Sequence, residues 1–204
     1  MGRSVSSYRR KDPRLQPRPQ VLIICEDSKS SKMYLEDVCV HFRVHVLVEV
    51  HHCGHTDPLG IVKEAIRRSA GHDRVFCVID RDRHEHFDEA IDMAGAHPKV
   101  DVITSHPCFE IWVLLHFQPC GKPYVEEGNR SPADCLIRDL QRIRGMENYS
   151  KGSEKLFEML TVEKFEQART RAKHLYDAAE AMGNPNPSTQ LHFLMKELEE
   201  LKIT

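Results

Sequence analysis

The chain has 204 residues, of which 40% are hydrophobic and 29% are charged, and its formal net charge is −2. This length suits one α/β domain with an appendage, or at most two small domains, and is enough to bury a substantial core. The near-neutral charge excludes a uniformly basic polyanion-binding protein, and no stretch approaches the ~18 apolar residues that indicate a membrane span.

The first twenty residues predict a flexible basic arm. They carry six basic side chains against a single acid, Asp12, and three prolines without apolar periodicity. Such an arm either contacts phosphates nonspecifically or only aids solubility. It contains no apolar core of a signal peptide, so a cytoplasmic location is expected.

The first predicted strand is the apolar run 21–25, which ends at Glu26 and Asp27. A helix is predicted over 30–43, and a second strand over 44–50, where valines alternate. The turn at 54–58 then leads into a further helix, because Thr56 or Asp57 can cap it and Pro58 suits its first position.

The central feature is the run 75–79, which ends at Asp80 and is followed by Asp82. An unbroken run of this composition is typical of a strand buried on both faces of a parallel sheet. Ligands bind beyond the carboxyl ends of such strands, and a carboxylate pair there suits a hard cation such as Mg²⁺. The alternative is that Asp80 caps the next helix and Asp82 is a solvated loop residue.

Two buried strands that both end in acid predict one shared site. Sequential strands of a parallel sheet lie close together, so Glu26 is expected to face Asp80 and Asp82. Three carboxylates around one or two divalent ions are suited to phosphoryl transfer.

A helix over about 86–96 and a fourth strand over 100–104 follow, and Pro107 precedes a nearly all-apolar run to Phe117. A buried helix there would direct Glu110 back toward the metal site, at a high desolvation cost unless the carboxylate is paired, coordinated or protonated. The alternative is that Glu110 only interacts with the helix dipole. His116 is predicted to be a packed histidine.

The last third of the chain predicts an irregular segment and then two helices. Residues 118–160 are rich in glycine and proline and are interpreted as an insertion or lid. A short helix is predicted within them near 133–143. Their lysines and arginines, including Lys151, form either a phosphate-facing surface or ordinary solvated charge. Apolar stripes over 161–182 and up to Leu201 predict helices that pack on the core.

The predicted fold is therefore α/β: a mainly parallel sheet of about four strands flanked by helices, with a C-terminal helical appendage. We expect a basic arm at 1–20, an α/β core at 21–117, an irregular insertion or lid at 118–160 and C-terminal helices at 161–204.

Cysteines and histidines indicate no standard zinc motif. The seven cysteines include no C-x-x-C pair, which argues against a zinc ribbon or a redox motif. Histidines and one cysteine cluster at 51–55, with two more histidines at 84 and 86, but their spacing matches no standard ligand pattern. Loop histidines near a polyanion site are the favoured interpretation.

These motifs resemble a known family. The pattern resembles that of the Toprim domain of topoisomerases, bacterial primases and some nucleases, in which a Glu ends one strand and an Asp-x-Asp ends a later one. The chain resembles more closely the RloB-like proteins, a Toprim-related family of prokaryotic mobile and phage-defence loci. The resemblance rests on Cys25-Glu26, Gly54-x-Thr56-Asp57-Pro58, Asp80-Arg-Asp82, Pro107-Cys-Phe-Glu110-x-Trp112-x-Leu-Leu-His116-Phe117 and Asn186-Pro-Ser-Thr189.

The resemblance implies Mg²⁺ or Mn²⁺ at Glu26, Asp80 and Asp82, and a partner ATPase from the same locus. Two positions depart from the pattern. Asp27 stands where many Toprim domains have glycine, and it could add a ligand or obstruct one. His106 stands where relatives are expected to have asparagine.

Two functions follow as expectations. The first is a Mg²⁺-dependent nuclease in anti-phage defence, with Glu26, Asp80, Asp82 and Glu110 as catalytic or metal-binding carboxylates. Arg81 and Lys151 would then contact nucleic acid, either DNA or RNA. The second is a non-catalytic module that binds nucleic acid or nucleotide and regulates a partner ATPase.

Overall fold

A computed structural model describes residues 18–81, 84–152 and 156–202. Within these residues the strands are β1 (Val21–Cys25), β2 (Val48–His51), β3 (Arg74–Asp80), β4 (Val100–His106) and β5 (Ser188–Thr189). The helices are α1 (Ser30–His41), α2 (Pro58–Arg68), α3 (Phe87–Gly95), α4 (Glu110–Leu115), α5 (Pro132–Leu140), α6 (Val162–Met182) and α7 (Leu191–Glu200). Asp82 and residues 1–17 of the predicted basic arm lie outside the described residues.

The strands form one sheet in the order β2-β1-β3-β4-β5. The first four are parallel, and β5 pairs antiparallel with β4. The prediction of an α/β fold with a mainly parallel sheet is thus confirmed, while β5 was not predicted. A strand of two residues is too short to show an alternating pattern of apolar and polar side chains. β5 forms because Ser188 and Thr189 pair with His106 and Ser105.

The central strands carry apolar side chains on both faces of the sheet, so helices cover both faces. Ile23 and Val78 face the larger core, which also contains buried side chains of α1, α4, α5, α6 and α7. Ile24 and Cys77 face a smaller core, closed by α2 and α3. The division of the chain into arm, core, insertion and C-terminal helices stays a prediction.

The second strand begins later than predicted. Its pattern suggested 44–50, but Val44 and Leu47 are buried in the turn that follows α1, and β2 spans Val48–His51. Arg43 adopts a left-handed conformation with φ of 60°, which turns the chain before the strand. Alternating valines therefore predicted extended backbone where the chain makes a turn.

Among the described residues, no helix combines the length and apolar character needed to cross a bilayer.

Candidate active site

Glu26 and Asp80 lie side by side at the carboxyl edge of the sheet. β1 and β3 are adjacent and parallel, with Cys25 opposite Val78, so both strands end at the same edge. The backbone N–H of Asp80 donates a hydrogen bond to Glu26 Oε2 at 2.8 Å. The structure thus brings together two of the three predicted metal ligands; the third, Asp82, lies outside the described residues.

Asp80 also interacts with a helix terminus, although not that of the next helix. Its Oδ1 accepts a hydrogen bond from the backbone N–H of Phe109 at 2.8 Å, and Phe109 is the N-cap residue that precedes α4. Asp80 and Ser105 are paired in the β3–β4 register, which holds the start of α4 beside the end of β3. The predicted alternative, an Asp80 cap, therefore applies to α4 rather than α3.

Glu110, the first residue of α4, points into the same region. It is fully buried, and its Oε1 accepts a hydrogen bond from the Tyr149 hydroxyl at 3.3 Å. Its Oε2 is buried with no hydrogen-bond partner among the described residues. The predicted direction of Glu110 toward the Asp80 region agrees with this geometry.

Cys108 completes a compact group with Asp80 and Glu110. One ligand atom from each of the three side chains lies within 4.8 Å of the other two. From the sequence alone, Cys108 is expected only to pack as a small apolar thiol, because it stands beside an apolar run. Its spacing of two residues from Glu110, across the start of a helix, was the signal that could have identified it.

Burial favours the protonated forms of Asp80 and Glu26, because it raises the pKa of both carboxyl groups. Burial, and then the charges of Glu26 and Glu110, raise the pKa of Asp80 well above its usual value. Burial also raises the pKa of Glu26, against the opposing effects of the Asp80 N–H and of His84, whose Nε2 lies 3.3 Å from Glu26 Oε1. Bringing these groups together costs free energy that a cation would recover.

Lys151 supplies positive charge to the group. Its Nζ lies 3.9 Å from Glu110 Oε2, and its side chain remains 45% exposed. Although burial acts in the opposite direction, the charges of Glu110, Cys108 and Asp80 raise the pKa of Lys151. The ammonium group is thus held charged at the site while still accessible to a ligand.

A cleft of about 280 Å³ opens beside Glu26, Asp80 and Lys151. It is lined by Glu26, Asp27, Ser28, Lys29, His52, Thr56, Asp80 and Lys151. The His52 ring is held by a 3.1 Å hydrogen bond between Nδ1 and the carbonyl of Cys25. The cleft combines carboxylates with two lysines, which suits a phosphate bound together with a cation.

Asp27 mainly stabilises the start of α1. Its Oδ1 accepts from the Lys29 N–H at 2.7 Å. Its Oδ2 accepts from the N–H and the hydroxyl of Ser31 at 3.1 and 2.6 Å. These bonds hold the Asp27 carboxylate against the helix. At the position where many Toprim domains have glycine, Asp27 therefore orders the loop after β1.

Arg81 lies beside the carboxylate group rather than in it. It is exposed, its guanidinium lies 5.0 Å from the centre of the Phe87 ring, and it lines a separate cleft with His106, Tyr124 and Asn186. Tyr149, by contrast, was not predicted as a site residue. The Tyr149 hydroxyl reaches Glu110 from the irregular segment, and no sequence pattern indicates that contact.

The donor set fits a divalent cation. Carboxylate oxygens are the ligands that Mg²⁺ prefers, and they reach the site from β1, β3 and α4. The buried Glu110 Oε2, which lacks a hydrogen-bond partner among the described residues, is an oxygen that a nearby cation would satisfy.

Comparison with known proteins gives one match. The family model described as RloB-like protein matches residues 21–198. No curated protein and no solved structure matches the chain.

Proposed function

Because the chain belongs to the RloB-like protein family, we propose that it is a Toprim-type phosphodiesterase that cleaves nucleic acid with Mg²⁺ or Mn²⁺. One observation carries the proposal: Asp80 connects two acidic neighbours, since its N–H binds Glu26 beside a cleft that Lys151 also lines and its carboxylate lies in one compact group with Glu110. Glu26, Asp80 and Asp82 would hold the ion, with Glu110 as a fourth carboxylate.

Each side chain has a role that follows from its contacts. Lys151, charged and partly exposed, would bind a phosphate oxygen of the backbone. The alternative role for Glu26, in place of metal ligation, is to orient or deprotonate the attacking water, since burial has raised its pKa and a base is most effective when its pKa approaches the operating pH. The N–H groups of Asp80 and Phe109 fix the two strand-end carboxylates. When bound, the ion would stabilise negative charge that develops on the transferring phosphate.

The biological setting is part of the same proposal. The activity would take place in the cytoplasm, in anti-phage defence, and a partner ATPase from the same locus would control it. The nucleic acid would be DNA or RNA, with Arg81 and the basic arm as additional phosphate contacts.

The decisive experiment is cleavage of DNA and RNA by the purified chain with Mg²⁺ or Mn²⁺. Asp80→Asn should eliminate cleavage and leave nucleic-acid affinity largely intact, because the carboxylate acts on the transition state rather than on ground-state binding. Asp92→Asn, on the exposed surface of α3, is the matched control and should cleave like the wild type. Equal cleavage by the wild type and Asp80→Asn would disprove the proposal.

One observation favours the second function, a non-catalytic module. Lys151 already neutralises part of the charge on Glu110, so the protein supplies a cation of its own. If the wild type cleaves nothing with either metal, alone or with its partner ATPase, the regulatory binding function replaces the nuclease.

A further inference from the structure

Cys108 belongs to the carboxylate group but has no role in the proposed phosphoryl transfer. Its sulfur, an Asp80 oxygen and a Glu110 oxygen are mutually within 4.8 Å. Cys108 is 2% exposed and Glu110 0%. Mg²⁺ prefers six oxygen ligands in octahedral geometry, so the thiol adds a donor that a magnesium site does not need.

A second observation indicates a ligand at this position. Glu110 Oε2 is buried and has no hydrogen-bond partner among the described residues. Lys151 Nζ, at 3.9 Å, is beyond hydrogen-bonding distance. A buried carboxylate oxygen left without a hydrogen bond is costly, and an ion bound next to it would remove that cost.

We propose that Asp80, Cys108 and Glu110 bind a thiophilic divalent cation of the Zn²⁺ class, and that this ion competes with Mg²⁺ for Asp80. Three protein ligands with an open fourth position are common for zinc. Thiolate donors favour zinc-class ions over magnesium. As the metal–sulfur bond forms, Cys108 loses its thiol proton to solvent. The competition, but not the binding site, rests on the proposed function.

Binding of this ion would regulate the proposed active site by limiting its occupancy by Mg²⁺. An ion held by Cys108 and Glu110 withdraws Asp80 from the position that Mg²⁺ needs. Zinc-class ions should therefore weaken Mg²⁺ binding even without nucleic acid, and excess Mg²⁺ should in turn weaken theirs.

The test is a titration of the full-length chain with Co²⁺, a spectroscopic substitute for Zn²⁺, in the absence of nucleic acid. Wild type should develop a near-ultraviolet sulfur-to-cobalt charge-transfer band that saturates at one ion per chain. Cys108→Ser should lose the band. Cys135→Ser should keep it, because Cys135 is equally buried at 2% but lies on α5, outside the cluster. Glu110→Gln should weaken Co²⁺ binding by at least about tenfold, since even outer-shell partners of metal ligands contribute about 10- to 100-fold.

Circular dichroism would show whether each variant folds. X-ray absorption on the Zn²⁺-loaded wild type tests the same site without any substitution. It should detect one sulfur at about 2.3 Å from zinc. A shell without sulfur, or an equal band in wild type and Cys108→Ser, would overturn the site. Saturating Mg²⁺ should raise the Co²⁺ concentration at half-saturation, and an unchanged value would overturn the competition. Cleavage is not measured, so loss of this inference would leave the nuclease proposal standing, and the reverse also holds.

Discussion

At the scale of single residues, the candidate site consists of groups that destabilise the fold. Glu110 is fully buried next to Asp80, and burial, followed by the charges of Glu26 and Glu110, raises the pKa of Asp80. The ionised Asp80 side chain would be more stable in water than at this position. Such an arrangement at the end of a well-packed sheet is typical of a functional site.

Replacing Glu110 should therefore stabilise the metal-free chain. Glu110→Gln removes a charge while keeping side-chain volume and an acceptor for Tyr149, and Lys151 can return to solvent. We expect a gain of about 1–3 kcal/mol in the free energy of unfolding, because a neutral amide costs less to bury than an ionised carboxylate. Urea denaturation in chelator measures it.

Glu180→Gln, on the exposed surface of α6, is the matched control and should change stability by less than about 0.5 kcal/mol. A loss of stability in Glu110→Gln would show that the carboxylate is well compensated without a metal.

His116 is a buried histidine with a hydrogen-bond partner at each ring nitrogen. A hydrogen bond of 2.8 Å joins Nδ1 to the Trp112 carbonyl, and Nε2 lies 3.0 Å from the Tyr34 hydroxyl. Burial lowers the pKa of His116 from 6.5 to about 4, and the charges of Lys164 and Arg171 act in the same direction. The prediction of a packed histidine is confirmed.

This shift predicts a pH-dependent stability. Between about pH 6.5 and pH 4 the unfolded chain binds a proton at His116 that the folded chain does not. The free energy of unfolding should therefore fall with decreasing pH in this window, by up to about 1.4 kcal/mol per pH unit. His116→Gln should reduce that slope.

Denaturant unfolding from pH 7 to pH 4.5 measures the slope for each variant. His55→Gln controls for removal of an exposed imidazole. If the His116→Gln slope equals that of wild type, the buried ring is not the origin of the pH dependence.

At the scale of elements, the irregular segment carries the cation of the site. Gln141, the C-cap residue that follows α5, donates from Nε2 to the Tyr149 carbonyl at 2.9 Å. The Gly152 N–H lies 3.2 Å from the Ser30 hydroxyl and donates to it. Tyr149 and Lys151 are thus held between α5 and the start of α1, over the carboxylates.

Gly152 should be sensitive to substitution for two reasons. It has φ of +80°, and an added Cβ would lie 2.9 Å from the Cβ of Lys29. Gly152→Ala should lose about 1–2 kcal/mol for the left-handed backbone and about 1–3 kcal/mol more for overpacking. It should also reduce any cleavage, because Lys151 is displaced.

Gly128→Ala is the matched control, since Gly128 has φ of +63° and no neighbour within 4 Å of an added Cβ. It should show only the backbone cost, by urea unfolding. Equal losses of unfolding free energy in both variants would mean that the contact between the added methyl group and Lys29 is relieved without cost.

At the scale of the whole molecule, binding and chemistry should depend on different regions. The proposed chemistry lies at the carboxyl edge of the sheet, whereas the predicted basic arm precedes β1. A phosphate contact made by such an arm contributes to affinity regardless of sequence and is weakened by salt. It contributes equally to ground and transition states.

Removing residues 1–18 should therefore weaken nucleic-acid binding and flatten its dependence on salt, while the rate at saturating substrate stays the same. Filter binding at several salt concentrations and single-turnover kinetics measure the two effects. An arm of the same length with its basic residues replaced by glutamine separates charge from length. An unchanged affinity would assign the arm to solubility alone.

The sequence by itself determined the layered α/β fold and the carboxylates at its edge. Apolar runs such as 21–25 and 75–79 can only be buried on both faces, which predicts central parallel strands. The acid that follows each run must then lie at the same edge. These inferences succeed because they depend on residues that are adjacent in the chain.

Only the tertiary structure decided which groups complete the site. Tyr149 and Lys151 come from a segment without periodicity, and Cys108 enters the group because β3 and the start of α4 share an edge. The pairing of β5 likewise depends on contacts between residues about 80 positions apart, Ser105 and Thr189. Such contacts arise from chain packing, and local sequence patterns carry no information about them.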